Sequence, residues 1–85
     1  MSLRQPIAVN RSVEAAVLYV RYTEDPFSHT QAVDPEGEIL ADFASDGRVL
    51  GIECLSMAPD LRAVLTAFAA RHELSLPPEV DTFAA

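Results

Sequence analysis

The chain has 85 residues, room for one small domain, and its thirteen acidic against six basic residues leave a formal charge of -7, which excludes a general electrostatic footprint for nucleic acid. All six basic residues are arginine, so neither Schiff-base chemistry nor the lysine of a P-loop is available. One cysteine and two histidines cannot make an internal disulfide or a closed structural zinc site, and no apolar run is long enough for a membrane-spanning helix.

Hydrophobic residues make up 49% of the chain, so it is expected to fold. No basic segment followed by an apolar stretch opens it. With the free cysteine, that points to the reducing cytoplasm. Met1-Ser2-Leu3 reads either as native or as an expression-vector leader. A short strand is expected around Ile7 to Val9, and Val13 to Ala16 reads equally as a linker turn or a helical turn. Val17 to Tyr22 is rich in β-branched and aromatic residues and predicts a strand. Thr23-Glu24-Asp25-Pro26 predicts a turn, since the residue before proline avoids helix. His29 to Val33 is a short polar strand candidate. Asp34-Pro35-Glu36-Gly37 has the residues of a type I turn in order.

The strongest local signal is Ile39 to Leu55, two apolar runs flanking Asp46-Gly47, the dipeptide of a type I′ hairpin. A tight turn there pairs Ser45 with Arg48. It then sets Phe43 against Leu50, Ala41 against Ile52 and Ile39 against Cys54. All six of these apolar residues fall on one face. The other face carries Leu40, Asp42, Ala44, Val49, Gly51 and Glu53.

Ser56 to Met57 is a break. Pro59 suits the first position of a helix and Asp60 its first turn. Leu61, Val64, Leu65, Phe68 and His72 follow at helical spacing as a core stripe. Arg62, Ala63, Thr66, Ala67, Ala70 and Arg71 lie opposite. Leu74 to Pro78 ends the helix, and an extended tail with Val80 and Phe83 is expected after it. The reading is one compact domain over 1–78, strand-rich over 7–55 and helical over 59–73, with 79–85 a tail whose order the sequence leaves open.

Leu18-Tyr19-Val20, Ile39-Leu40-Ala41-Asp42-Phe43 and Asp46 to Glu53, which contains the segment Gly51-Ile52-Glu53, together resemble the domain-of-unknown-function family numbered 2283, over residues 16–57. Members of that family commonly carry an aspartate where this chain has Ala16. The resemblance implies a β-meander, with a helix added in some members, in stand-alone cytoplasmic proteins of bacteria. It implies no established activity. Some relatives are encoded near toxin–antitoxin-like partners, so it also implies a partner-binding role.

The fold expected is α+β: an antiparallel β-meander of four or five strands with one C-terminal α-helix packed on it. One helix about 10–12 Å wide cannot cover a sheet of four or five strands about 4.8 Å apart. An interaction module acting as a homodimer, or binding a protein partner, is therefore expected, with no cofactor and no catalytic residue. Tyr19 and Arg21 share a strand face and belong to residue types enriched at hot spots. Leu40, Val49 and Leu55 are expected beside charges on the open face, and Ala63, Ala67 and Ala70 make a smooth helix stripe. These eight are the interface candidates. The rival reading is a metal-dependent or acid/base hydrolase-like site on Asp42 and Glu53, diagonal across the hairpin, with His29 and Glu38 as further ligands. Gly51 is expected to leave room for Tyr19 or for a second subunit. Cys54 is expected to pack as a small hydrophobe.

Overall fold

The computed structural model describes residues 2–12, 14–56 and 58–83. Met1, Val13, Met57, Ala84, Ala85 and the side chains of Thr82 and Phe83 lie outside the described residues, together with the expectations that fall on them. The chain forms five strands: β1 (Ala8–Ser12), β2 (Val17–Arg21), β3 (His29–Ala32), β4 (Ile39–Phe43) and β5 (Val49–Cys54). They form one antiparallel sheet in the order β1-β2-β5-β4-β3, with the helix α1 (Pro59–Arg71) packed after it. The fold is α+β, as expected.

β3, β4 and β5 run as a consecutive meander, but β2 joins the sheet at β5, not at β3. That pairing sets Leu18 beside Cys54 and Val20 beside Ile52, so the most apolar strands occupy the centre. The connection from β2 to β3 must then pass the ends of β5 and β4. It does so beside the β4–β5 loop: Tyr22 N donates to Leu50 O (2.8 Å), Ser28 N donates to Phe43 O (2.7 Å), and Arg48 Nη1 lies 3.1 Å from Asp25 Oδ2.

The first strand runs further than expected, to Ser12, and residues 14–16 form a turn, not a helix. Ala15 N donates to Ser12 Oγ (3.1 Å), and Ala16 adopts a left-handed φ of 54°. After β3, Gly37 N donates to Asp34 O (3.2 Å), the bond of the expected turn. Asp34 is buried, and its Oδ1 accepts from Ile39 N at 2.7 Å. Burial pushes its carboxyl up, but the backbone amides of Ile39, Glu38 and their neighbours outweigh that and hold it below the usual range.

The β4–β5 hairpin departs from the type I′ turn. Gly47 has φ 91°, while Asp46 is not in the left-handed region. Gly47 N donates to Ala44 O (3.0 Å) and Ala44 N donates to Arg48 O (2.9 Å). The loop therefore has three residues, Ser45 to Gly47, ending on a left-handed glycine. A third loop residue shifts the pairing by one, so Phe43 faces Val49 and not Leu50. A β-bulge between Asp42 and Phe43 absorbs the shift. Beyond it Asp42 pairs with Gly51, Ala41 with Ile52 and Ile39 with Cys54, the expected register. The bulge also moves Val49 off the open face. It is 1% exposed, in the core, which corrects its place among the interface candidates.

α1 has no capping side chain at Ala58, and Pro59 at its start has no N–H to satisfy. Leu61, Leu65, Phe68 and also Ala69 bury against Leu18, Val20, Ile39, Ala41, Ile52 and Cys54. The chain then returns across the core edge. Arg4 N donates to Glu73 O, and Ser75 N to Arg4 O, each at 2.8 Å, tying the N-terminal segment to Leu74. Where an extended tail was expected, Pro78 leads into a short helix, α2 (Glu79–Phe83). Val80 is only 3% exposed, in the same core, and Arg62 pairs with Asp81. An apolar residue two positions past proline gains more from burial than an extended tail offers.

Candidate functional site

α1 covers the sheet face made by Leu18, Val20, Ile39, Ala41, Ile52 and Cys54. Because side chains alternate, the opposite face carries Tyr19 and Arg21 from β2, Gly51 and Glu53 from β5, Leu40 and Asp42 from β4, and Thr30 from β3. No element crosses this face among the described residues.

Its centre is built on Gly51. Gly51 lies between Arg21 and Asp42 in register, and a Cβ placed on it would stand 2.8 Å from the Tyr19 hydroxyl. The missing side chain lets the Tyr19 ring lie across β5 and reach β4. There Tyr19 Oη donates to Asp42 Oδ2 (3.0 Å), and Thr30 Oγ1 donates to Asp42 Oδ1 (2.6 Å). Burial pushes the Tyr19 hydroxyl up, and the Asp42 hydrogen bond and charge add to it against the opposing pull of Arg21. Tyr19 is therefore a neutral donor at physiological pH. Arg21 Nε donates to Thr23 O at 3.1 Å, which holds its guanidinium along the strand.

The structure thus brings Tyr19, Arg21, Leu40, Asp42 and Glu53 together, and Leu55, just past β5, is 38% exposed. Ala63, Ala67 and Ala70 lie elsewhere, on the solvent side of α1, where with Pro59, Arg62 and Thr66 they line a shallow depression of about 500 Å³. Cys54 is fully buried. Its thiol is pushed up to about 12, by burial first and then by Glu53, so it packs as a small hydrophobe.

Asp42 and Glu53 are diagonal, as expected, but both oxygens of Asp42 already accept hydrogen bonds. His29, expected as a further ligand, is on the other face, stacked on Phe43 at 5.2 Å. Among the described residues no three His, Cys, Asp or Glu side chains are grouped to hold a metal ion.

The chain matches, over residues 13–57, the model of a family described as "Protein of unknown function (DUF2283)". That is a little over half of its length. The chain belongs to the DUF2283 family. No curated protein and no solved structure matches it. The DUF2283 segment spans β2 to β5 and ends before α1, so the whole Tyr19–Gly51–Asp42 arrangement lies inside it. The pieces of sequence that carried the resemblance converge on the open face: Tyr19 from one, Asp42 from another, Gly51 and Glu53 from the third. Ala16, where the resemblance places an aspartate, is exposed in the β1–β2 turn at positive φ, a conformation aspartate enters more readily than alanine.

Sequence reasoning missed Thr30 and a ring cluster at the opposite edge. Phe43, Phe68 and His72 meet there, with centroids 6.4 Å (Phe43–Phe68), 6.1 Å (Phe43–His72) and 4.5 Å (Phe68–His72) apart. No signal placed β3 against β4 in register, so nothing in the sequence linked residues 29–31 to residue 43. His72 was legible only as part of the helix stripe.

Proposed function

We propose that this protein is a non-enzymatic interaction module that forms a homodimer through the open face of its sheet. The observation that carries this reading is the uncovered plate itself. Tyr19 and Leu40 lie near its middle, Arg21 lies to one side of Gly51, and the Asp42 carboxylate lies to the other. A two-fold axis near Gly51 lays each Arg21 toward the carboxylates of the partner copy, so the patch is self-complementary in charge as an isologous interface requires. Tyrosine and arginine supply the contact area and hydrogen bonds that dominate such interfaces.

Five strands about 4.8 Å apart, with five residues of about 3.4 Å each, make a plate of roughly 400 Å² per copy. An interface near 800 Å² in total is at the small end, which supports a reversible, micromolar dimer. The charge of -7 per chain opposes pairing, and physiological salt screens most of that repulsion. Sedimentation equilibrium decides the reading: a species of about twice the 9.2 kDa chain mass is expected at high micromolar concentration. Arg21→Glu should return it to the monomer. A 9.2 kDa species across the whole range would remove the homodimer and leave a different protein as the partner for this face.

A further inference from the structure

β3 is an edge strand, paired only with β4, and all four of its residues are exposed. Val33 N donates to Ile39 O (2.8 Å), so by alternation Gln31 turns its backbone groups toward β4, while Thr30 and Ala32 turn theirs outward. The strand reads His29-Thr30-Gln31-Ala32, without the lysine, acidic residue or proline that usually blunts a free edge.

A cleft of about 320 Å³ opens beside this edge, on the helix side of the sheet. Gln31, Ala32 and Val33 form one wall, the Phe43, Phe68 and His72 rings the floor, and Arg71 at the end of α1 the rim. The Arg71 guanidinium stands 5.9 Å from the Phe68 ring centroid, and among the described residues it makes no ion pair. Arg48 and Arg62, by contrast, are each paired with aspartate. Burial, then Arg71 and Arg4, hold the His72 imidazole below its usual value, so it is neutral at physiological pH and Arg71 sets the sign of the cleft.

We propose that the β3 edge and this cleft form a docking site for an extended acidic peptide segment of a partner protein. The segment adds to the sheet as a sixth strand, bonding the outward groups of Thr30 and Ala32. Its residue opposite Gln31 projects to the helix side, into the cleft, where a carboxylate reaches Arg71 and its methylene stem lies on the rings. Charge selects this occupant over a second copy of the chain. Two β3 strands paired about a two-fold axis bring the two clefts, and their two Arg71 side chains, toward each other. Among the described residues no acidic side chain lines the cleft, so Arg71 is the charge that a ligand there meets, and charges farther off than about 8 Å are largely screened at physiological salt. The site is separate from the open sheet face, and it stands or falls independently of the dimer.

The test is an NMR titration of the ¹⁵N-labelled full chain with an acetylated, amidated seven-residue peptide of alternating threonine and valine with a central glutamate. The comparison peptide carries lysine at that position. The expected result is saturable shifts at the amides of Thr30 and Ala32 and at His72, with the glutamate peptide binding about tenfold more tightly. Arg71→Gln should erase the difference between the two peptides, and N-methylation of the peptide bonds that face β3 should abolish binding. Equal or tighter binding of the lysine peptide, shifts confined to other elements, or no shift at millimolar peptide would each overturn the proposal.

Discussion

Replacing Gly51 by alanine perturbs the open face at its narrowest point. The added Cβ would stand 2.8 Å from Tyr19 Oη, 3.2 Å from Tyr19 Cζ and 3.1 Å from Val20 O. The backbone oxygen belongs to a paired neighbouring strand and yields little, so the tyrosine ring must move away. Its hydrogen bond to Asp42 is then lost. A hydrogen bond to a charged group contributes about 1.5–3 kcal/mol, and the lower half of that range applies because both partners are only half-buried and water can replace the donor. Alanine recovers about 0.4–1 kcal/mol by restricting the unfolded chain. Adding the close approach to Val20 O, the net expectation is a loss of about 1–2 kcal/mol, measured as a lower urea midpoint at unchanged slope. In a Tyr19→Phe background the closest clash and the hydrogen bond are both absent, so the same substitution should cost less, by at least about 0.5 kcal/mol. A Gly51→Ala variant more stable than the parent, or an equal cost in both backgrounds, refutes the packing of Tyr19 over Gly51.

Ala16→Gly should stabilise the protein slightly. Relief of a left-handed alanine is worth about 1–2 kcal/mol, against about 0.4–1 kcal/mol of added unfolded-state entropy, and a lowered melting temperature would contradict the turn geometry. Phe68→Ala should cost about 3–5 kcal/mol, since Phe68 is buried among Phe43, His72 and the core, whereas Ala67→Ser on the solvent side should stay within about 0.5 kcal/mol; similar urea midpoints for the two would put α1 on the wrong side. Asp34 is held below its unfolded value of about 3.9. Its contribution to stability is therefore fully present above that pH and is lost as pH falls through the folded value. Urea midpoints measured across that window should fall less steeply for Asp34→Asn than for the parent, and parallel curves would exclude the role given to Asp34.

The local pattern of this chain was sufficient for much of the fold. Alternation in Val17 to Tyr22 and in Ile39 to Cys54 marked the central strands, and the 3–4 spacing of Leu61, Leu65 and Phe68 marked the buried side of α1. These are properties of one element and its own period, which neighbours in sequence determine. Gly51 was legible as a place of close approach, because a glycine inside a strand advertises space, but the structure was needed to choose Tyr19 over a second subunit as what lies against it.

What the sequence left open depended on contacts between distant segments. Asp46-Gly47 suits both a two-residue and a three-residue loop, and the choice rests on whether a bulge further along can restore the pairing of Ala41 with Ile52. That choice moved Val49 from the open face into the core. Joining β2 to β5 instead of β3 was decided by burying Leu18 and Val20 against Cys54 and Ile52, a gain in apolar area that no single segment encodes. The cleft at β3 follows from that order. Only when β3 stands at the edge beside β4 do Gln31, Phe43, Phe68, Arg71 and His72, drawn from three separate elements and the cap of one helix, share a wall.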